Sequence, residues 1–261
     1  MRKTVHSVVV LLVCLLCSAV FLTPAFGADE PKAPALKKGE RIVFFGDSIS
    51  TTNRAGAPEG FVTVIKHAID AANKDLEVET ICAGLNSCTV PGLQSRFKKD
   101  VLDQRPTIVF IYIGVNDVWQ WKDKNGVMGE PRTTKAGFES GLKDIIGKIN
   151  AIGARVILCT AAVIGEKADG SNARDKILDE YCDISRKVAA ETKTQLIDLR
   201  KTFMDYLKAN NKDNKDKGVL TDDMVHLNPQ GNKLVAEEML KTLNVPFVEL
   251  PPTPPTPTTK K

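Results

Sequence analysis

Short apolar runs alternate with helix-periodic segments about five times along this chain, and that alternation leaves few folds open. The spacing predicts strands over 41–45, 77–82, 107–113, 154–160 and 195–199. The run at 107–113, Thr-Ile-Val-Phe-Ile-Tyr-Ile, is apolar on both faces, as suits a central parallel strand buried under helices. Between the runs, apolar residues recur at helical spacing. Phe61, Val62, Ile65, Ala68, Ile69 and Ala72 form one such stripe within 59–73. Further helices are expected over 92–104, stopped before Pro106, from Thr133 or Thr134 to Ala151, over 173–193 and over 200–211. Asn228-Pro229 opens a last one that runs to about Leu243, with Pro229 in its first turn. Such alternation joins parallel strands by right-handed crossovers and covers both faces of the sheet. The expected class is α/β: a three-layer α/β/α sandwich around a five-stranded parallel sheet, with no internal sequence repeat.

The two ends do not share that pattern. Arg2 and Lys3 precede an almost wholly apolar stretch from Val8 to Phe21, and small residues follow as far as Gly27. This is the make-up of a secretory signal peptide over 1–27, cleaved after Gly27. Its apolar core is shorter than the roughly 20 residues a membrane span needs. The mature protein is expected to be secreted or periplasmic, with no stable membrane insertion. Residues 28–40, polar and lysine-rich, read as a linker, 41–245 as one domain, and 246–261 as a Pro/Thr-rich tail, disordered and solvated. The formal net charge is +4, and Arg2 and Lys3 supply two of those charges. The rest offers no basic stripe for a phosphate backbone, so no nucleic-acid partner is expected.

Of the 6 cysteines, Cys14 and Cys17 lie in the leader, and neither is placed for lipid attachment. Cys82, Cys88, Cys159 and Cys182 remain, at spacings unlike those of a zinc site. Cys82 and Cys159 end strand-like runs and read as buried thiols. Cys88 falls in a loop, which makes Cys82–Cys88 the first disulfide to test in an oxidising compartment.

The chemistry gathers where strands end. Arg41–Phe45 runs into Gly46-Asp47-Ser48, so Ser48 sits just past a strand's carboxyl end, the edge where open α/β sheets bind ligands. Gly, Asp and Ser are also ordinary turn residues, and a serine hydroxyl needs a base to become a nucleophile. Of the 3 histidines, His6 is in the leader and His67 lies mid-helix, far from any strand end. His226, in Asp222-Asp223-Met224-Val225-His226, enters the last helix from the same sheet edge as Ser48. Asp223, three residues before it, is spaced to accept the imidazole Nδ1–H; Asp222 is the competing carboxylate. Both acids also suit simple charge capping of the following helix. Donors for an oxyanion are available at the Ser48 amide, at Gly84 after the second strand, and at Asn116 in Gly114-Val115-Asn116-Asp117 after the third.

Taken in order, Gly46-Asp47-Ser48, Gly84, Gly114-Val115-Asn116-Asp117 and Asp223-Met224-Val225-His226 resemble the GDSL-type esterases, also called SGNH hydrolases. The resemblance spans about Arg41 to Leu243. It implies a flavodoxin-like fold, Ser48 as nucleophile and first oxyanion donor, and the Gly84 amide and Asn116 side chain as the other donors. His226 would be the base and Asp223 its orienting acid. No metal and no organic cofactor are implied. One departure concerns the glycine block: the family often carries Asn two residues before the glycine, where this chain has Cys82. The α/β-hydrolases share the order Ser, Asp, His but need Gly-x-Ser-x-Gly, and here the last position is Ser50.

Trp119 and Trp121 follow Asn116 and are the candidates for stacking on a sugar or lining an acyl pocket; anchoring of their own loop explains them as well. Exported family members of this kind often resemble carbohydrate acetylesterases, others lysophospholipases or thioesterases. The expected substrate is a small-molecule or saccharide ester, with a lean toward short acyl groups. The rival from another class is a non-catalytic carbohydrate-binding module on the same sandwich. A flavodoxin-like cofactor binder lacks its Gly-rich phosphate loop here. Acyl length, alcohol moiety and oligomeric state are left open by the sequence.

Overall fold

A computed structural model describes residues 35–119 and 129–251. Five parallel strands, β1 (Arg41–Gly46), β2 (Glu79–Gly84), β3 (Ile108–Tyr112), β4 (Arg155–Cys159) and β5 (Gln195–Ile197), form one sheet in the order β2-β1-β3-β4-β5. That is the doubly wound, flavodoxin-like order, and its direction of winding reverses between β1 and β3. A crevice opens at such a reversal, beyond the carboxyl ends of the two strands. The loops leaving β1 and β3 carry Ser48 and Asn116.

Among the described residues seven α-helices flank the sheet: α1 (Phe61–Asn73), α2 (Val90–Asp100), α3 (Val115–Val118), α4 (Lys135–Ala151), α5 (Asp175–Thr192), α6 (Leu199–Asn210) and α7 (Pro229–Leu243). α1 packs on α7, while α2, α4 and α5 pack in a row. β1 shows why its sequence is apolar on both faces. Phe44 stacks on Phe110 at 5.1 Å and meets Phe61 of α1 edge-on at 5.6 Å. Its neighbour Phe45 points the other way, to Phe97 of α2 at 6.4 Å. Successive strand residues alternate between faces, so each aromatic ring serves a different helical layer.

Differences from the expected boundaries have local causes. β2 starts at Glu79 and not at 77, because Glu77 closes a 3-10 turn in the left-handed region at φ 51°. β5 stops at Ile197 because Asp198 turns its carboxylate onto the Lys201 amide and caps α6. The helix expected over 92–104 begins at Val90, whose amide donates to Asp117 Oδ1 at 2.9 Å, and breaks into a separate 3-10 turn at Leu102–Gln104. The loop after β3 contains α3. Thr134, one of two candidate caps, accepts from the Gly137 amide at the start of α4.

The chain leaves the folded body later than residue 246. Phe247, Val248 and Leu250 pack against the core, Lys233 lies 4.9 Å over the Phe247 ring, and Glu249 pairs with Lys233 at 2.7 Å. The expected signal peptide and the tail beyond 251 lie outside the described residues. The disulfide expectation is corrected: Cys82, Cys88, Cys159 and Cys182 are all free. Cys82 Sγ points toward Gly56 in the loop after β1, whereas Cys88 Sγ lies against Gly92 in α2, so the two side chains face different neighbours.

Candidate active site

Ser48 begins a 3-10 turn, Ser48–Ser50, that follows β1 directly. Asp47 shapes the turn by accepting from the Ile49 amide at 3.0 Å, and Thr51 Oγ1 donates to the Ser48 carbonyl at 2.8 Å. Glycine at 46 is a steric requirement: a Cβ there would lie 2.3 Å from the Tyr112 carbonyl oxygen and 2.6 Å from Ser50 Oγ. Arg96 fixes the same edge from behind, donating to the carbonyls of Gly46 at 2.5 Å and Ala83 at 2.9 Å, with its guanidinium 4.7 Å from the centre of the Phe45 ring. Ser48 itself is only 8% exposed.

His226 comes to that hydroxyl from the loop before α7. Ser48 Oγ and His226 Nε2 are 2.8 Å apart, and His226 Nδ1 lies 2.6 Å from Asp223 Oδ2. The other Asp223 oxygen accepts the backbone amides of His226 at 2.8 Å and Val225 at 3.2 Å. Partial burial pulls the Asp223 carboxyl upward, but the His226 ring, its amide and the Val225 amide outweigh this and hold it below the usual carboxylate range. Asp222 is not in this row: its amide donates to the His226 carbonyl, and its side chain lines a neighbouring groove. The loop closes on itself through an antiparallel bridge between Thr221 and Leu227, and its tip residue Met224 sits at φ 84°. His67 stays on α1, in a different groove with Lys66, Asp70 and Cys82.

A cavity of about 290 Å³ opens over the serine, lined by Ser48, Arg54, Asn86, Ser87, Val115, Asn116, Trp119, Arg132, Asp223, Val225 and His226. Asn116 and Trp119 therefore meet the serine and histidine, while Trp121 lies outside the described residues. Trp119 is half-buried under the Arg174 guanidinium, 5.3 Å from its ring centre.

Gly84 is not in that lining. The Glu79 and Leu85 amides donate to β1, so along β2 the alternate amides, Gly84 included, turn to the open edge of the sheet, away from Ser48. Gly84 is small for another reason: a Cβ there would sit 2.3 Å from Ser50 C and 2.5 Å from the Asp47 carbonyl oxygen. Its absence of a side chain lets the serine turn lie against β2. Ser87, three residues on, lines the cavity instead, in the left-handed region at φ 58°, with Arg132 holding its carbonyl at 3.1 Å. No pattern rule singles out Ser87, Arg54 or Arg132; only the folded loops bring them to Ser48.

Behind the serine two carboxyls are buried. Burial, reinforced by Asp117, raises Asp47 to about 7, although the Ile49 amide and Asn116 side chain pull it down. Burial likewise raises Asp117 to about 6.

A flavodoxin-like sheet with a serine, a histidine and an aspartate in one hydrogen-bonded row at its carboxyl edge is the frame of a serine-type carboxylic ester hydrolase. The chain belongs to the GDSL-like lipase/acylhydrolase family, whose profile matches residues 44–234. It is 26% identical over 220 residues to the acetylxylan esterase of Geobacillus stearothermophilus, covering 80% of this chain and 96% of that protein. An uncharacterised lipoprotein of Bacillus subtilis, YqeF, is 28% identical over 221 residues, covering 76% and 87%. Among solved structures, the acetyl xylan esterase AlAXEase superposes with a TM-score of 0.71 at 37% identity, covering 78% of this chain and 99% of that one.

Proposed function

We propose that this protein is an exported serine esterase that removes short acyl groups, acetyl foremost, from carbohydrates. The observation that carries the proposal is the unbroken row Ser48–His226–Asp223, at 2.8 and 2.6 Å, opening into a cavity of about 290 Å³. In this reading Ser48 Oγ attacks the ester carbonyl while His226 Nε2 takes its proton. Asp223 holds the imidazole in the right tautomer and stabilises the imidazolium that forms. The negative oxygen of the tetrahedral intermediate is received by the Ser48 amide, the Asn116 side chain and, in place of Gly84, the Ser87 amide. Collapse expels the alcohol, protonated by His226, and leaves an acyl-Ser48 ester. Water, deprotonated by His226, then attacks that ester, releasing the carboxylic acid and the serine.

The acetyl preference is supported by the two acetylxylan esterases it resembles and by the cavity's size and polar lining, which includes Asn86, Asn116, Arg54 and Arg132. Trp119, beside the serine, is the surface on which a sugar ring would stack. Export rests on the leader-like sequence of residues 1–27 and on the likeness to a lipoprotein. Among the described residues no helix is long and apolar enough to cross a membrane.

The test is release of acetate from acetylated xylo-oligosaccharides, beside aryl esters from acetate to palmitate. The wild type should turn over acetate fastest, and Ser48→Ala should lose about 10⁴-fold or more in kcat. Full activity in Ser48→Ala would end the proposed mechanism; a preference for long chains would move the substrate to lipids or thioesters.

A further inference from the structure

Glu166 is fully buried in the loop after β4, yet among the described residues no lysine or arginine pairs with it. Its carboxylate is enclosed by donors from one stretch of chain. Oε2 accepts the Val219 amide at 2.8 Å; Oε1 accepts the Leu220 amide at 2.8 Å, the Thr221 amide and Thr221 Oγ1 at 2.7 Å. Three successive amides converging on one anion make a backbone nest, a strong and directional cradle for negative charge. The Glu166 backbone joins in: its amide donates to the Asp216 carbonyl at 2.9 Å, and its carbonyl accepts from Asn211 Nδ2 at 2.8 Å.

The nest ends at Thr221, where the histidine loop begins. Thr221 forms the antiparallel bridge with Leu227, the Leu220 carbonyl accepts from Asn228, and the Asp222 amide donates to the His226 carbonyl at 2.8 Å. One residue before Glu166, the Gly165 amide donates to the Met224 carbonyl at 2.7 Å, at the loop tip. Residues 165 and 166 thus grip the Asp223–His226 loop at both stem and tip. The loop buries few side chains of its own: Asp222 and Asp223 are exposed, Leu220 and Val225 are buried, and Leu227 packs part-buried against the core.

We propose that Glu166 is a positioning residue for the ester-hydrolysing site, setting the place of His226 and Asp223 relative to Ser48 through the 219–221 nest. The proposal rests on the Ser48–His226–Asp223 reading above. Glu166→Gln keeps the shape but turns one terminal group into an N–H donor facing amides that themselves donate. The nest then opens and the imidazole shifts. A displacement of about 1 Å at a reacting group costs on the order of 100-fold in rate.

The experiment measures kcat and KM on aryl acetate well below the melting temperature, with the low-field proton resonance of the His226 Nδ1–H as a second readout. Glu166→Gln should lose about 100-fold in kcat with KM nearly unchanged, and its imidazole resonance should move or broaden. Glu166→Asp, which restores the charge at shorter reach, should recover part of the loss. Thr221→Val, which removes one hydroxyl donor and keeps all three amides, should fold in any case and lose about threefold to tenfold in kcat. If Glu166→Gln and Thr221→Val melt earlier but keep wild-type kcat and the wild-type resonance, Glu166 only stabilises the fold and the proposal is overturned. If Glu166→Gln does not fold, Thr221→Val decides alone by the same two readouts. An inactive wild type would defeat the esterase reading, and the resonance would still show whether Glu166 places His226.

Discussion

The two halves of the site are held by different physics. Ser48 follows a strand buried from Ile42 to Gly46, and its turn is fixed by steric fit: Gly46 and Gly84 leave no room for a methyl group, and Phe44 and Phe45 lock β1 into both helical layers. His226 rides a loop that buries little and is fixed by hydrogen bonds, from Gly165, Glu166 and its own stem. The nearby carboxyls follow the same division. Asp47, beside the serine, is buried and pushed toward its neutral form; Asp223, beside the histidine, is exposed and held ionised by its donors. Steric fit and apolar burial determine where Ser48 stands, and polar contacts determine where His226 stands. Damage to the first should appear as lost stability, damage to the second as lost rate.

The largest effect expected on the polar side is at Asp223. Asp223→Asn keeps the shape but presents the imidazole with the wrong partner, and in the serine-triad template such a change lowers kcat by about 10⁴-fold. Asp222→Asn, one residue away, should stay within a few-fold of wild type, because only its backbone touches His226. Comparing kcat of the two variants at matched folding separates a specific carboxylate from a generally acidic loop. Equal losses would mean that loop charge, and not the Asp223–His226 bond, supports the rate.

The same division explains what the sequence disclosed. Strand and helix placement follow from runs such as Ile108–Tyr112 and the stripe on α1, because burial writes itself into apolar periodicity. The Ser48, Asn116, Asp223 and His226 positions were legible because each stands at a strand end or helix entry, where turn residues mark it. Glu166 was not: a lone glutamate in a loop looks solvated until its partners, 53 to 55 residues on, are folded around it. Gly84 was legible as a special position, and the contacts around it give that position a steric reason. A glycine signals close approach, and here what approaches is the serine turn and not a ligand. Ser87 carries a positive φ without glycine, so nothing in its letter announces it.

The steric side is tested by Gly84→Ala. A methyl there meets backbone atoms at 2.3, 2.4 and 2.5 Å, which no side-chain rotation relieves, so several kcal/mol of stability should be lost. Gly147→Ala is the counterpart: it lies in α4 with nothing within 4 Å of the new methyl and should gain about 0.5–1 kcal/mol. Thermal melts of both report the contrast. A Gly84→Ala protein that melts like the wild type yet loses its kcat would return the oxyanion role to Gly84.

The last contrast is the pH signature that sets the two aspartates apart. Asp47 binds its proton more tightly folded than unfolded, with a folded value of about 7 against an ordinary 3.8. Its contribution to stability is therefore fully present below about pH 4 and is lost as pH rises through about 7. Asp223 has the opposite sign: its folded value is depressed, so its contribution is present above the unfolded value and lost as pH falls through the folded one. Asp47→Asn keeps an oxygen for the Ile49 amide and removes the titration. Melting temperatures of wild type and Asp47→Asn should nearly coincide at pH 4 and diverge by pH 8, with the variant the more stable. Asp117, raised to about 6, titrates in both proteins and cancels in the difference, apart from its coupling to Asp47. That coupling has a direction too. With the Asp47 charge gone, Asp117 ionises more readily, which widens the gap further at high pH. A difference between the two melts that shrinks from pH 4 to pH 8 would mean that Asp47 is ionised in the fold, and that the serine turn rests on a charge just as the histidine loop does.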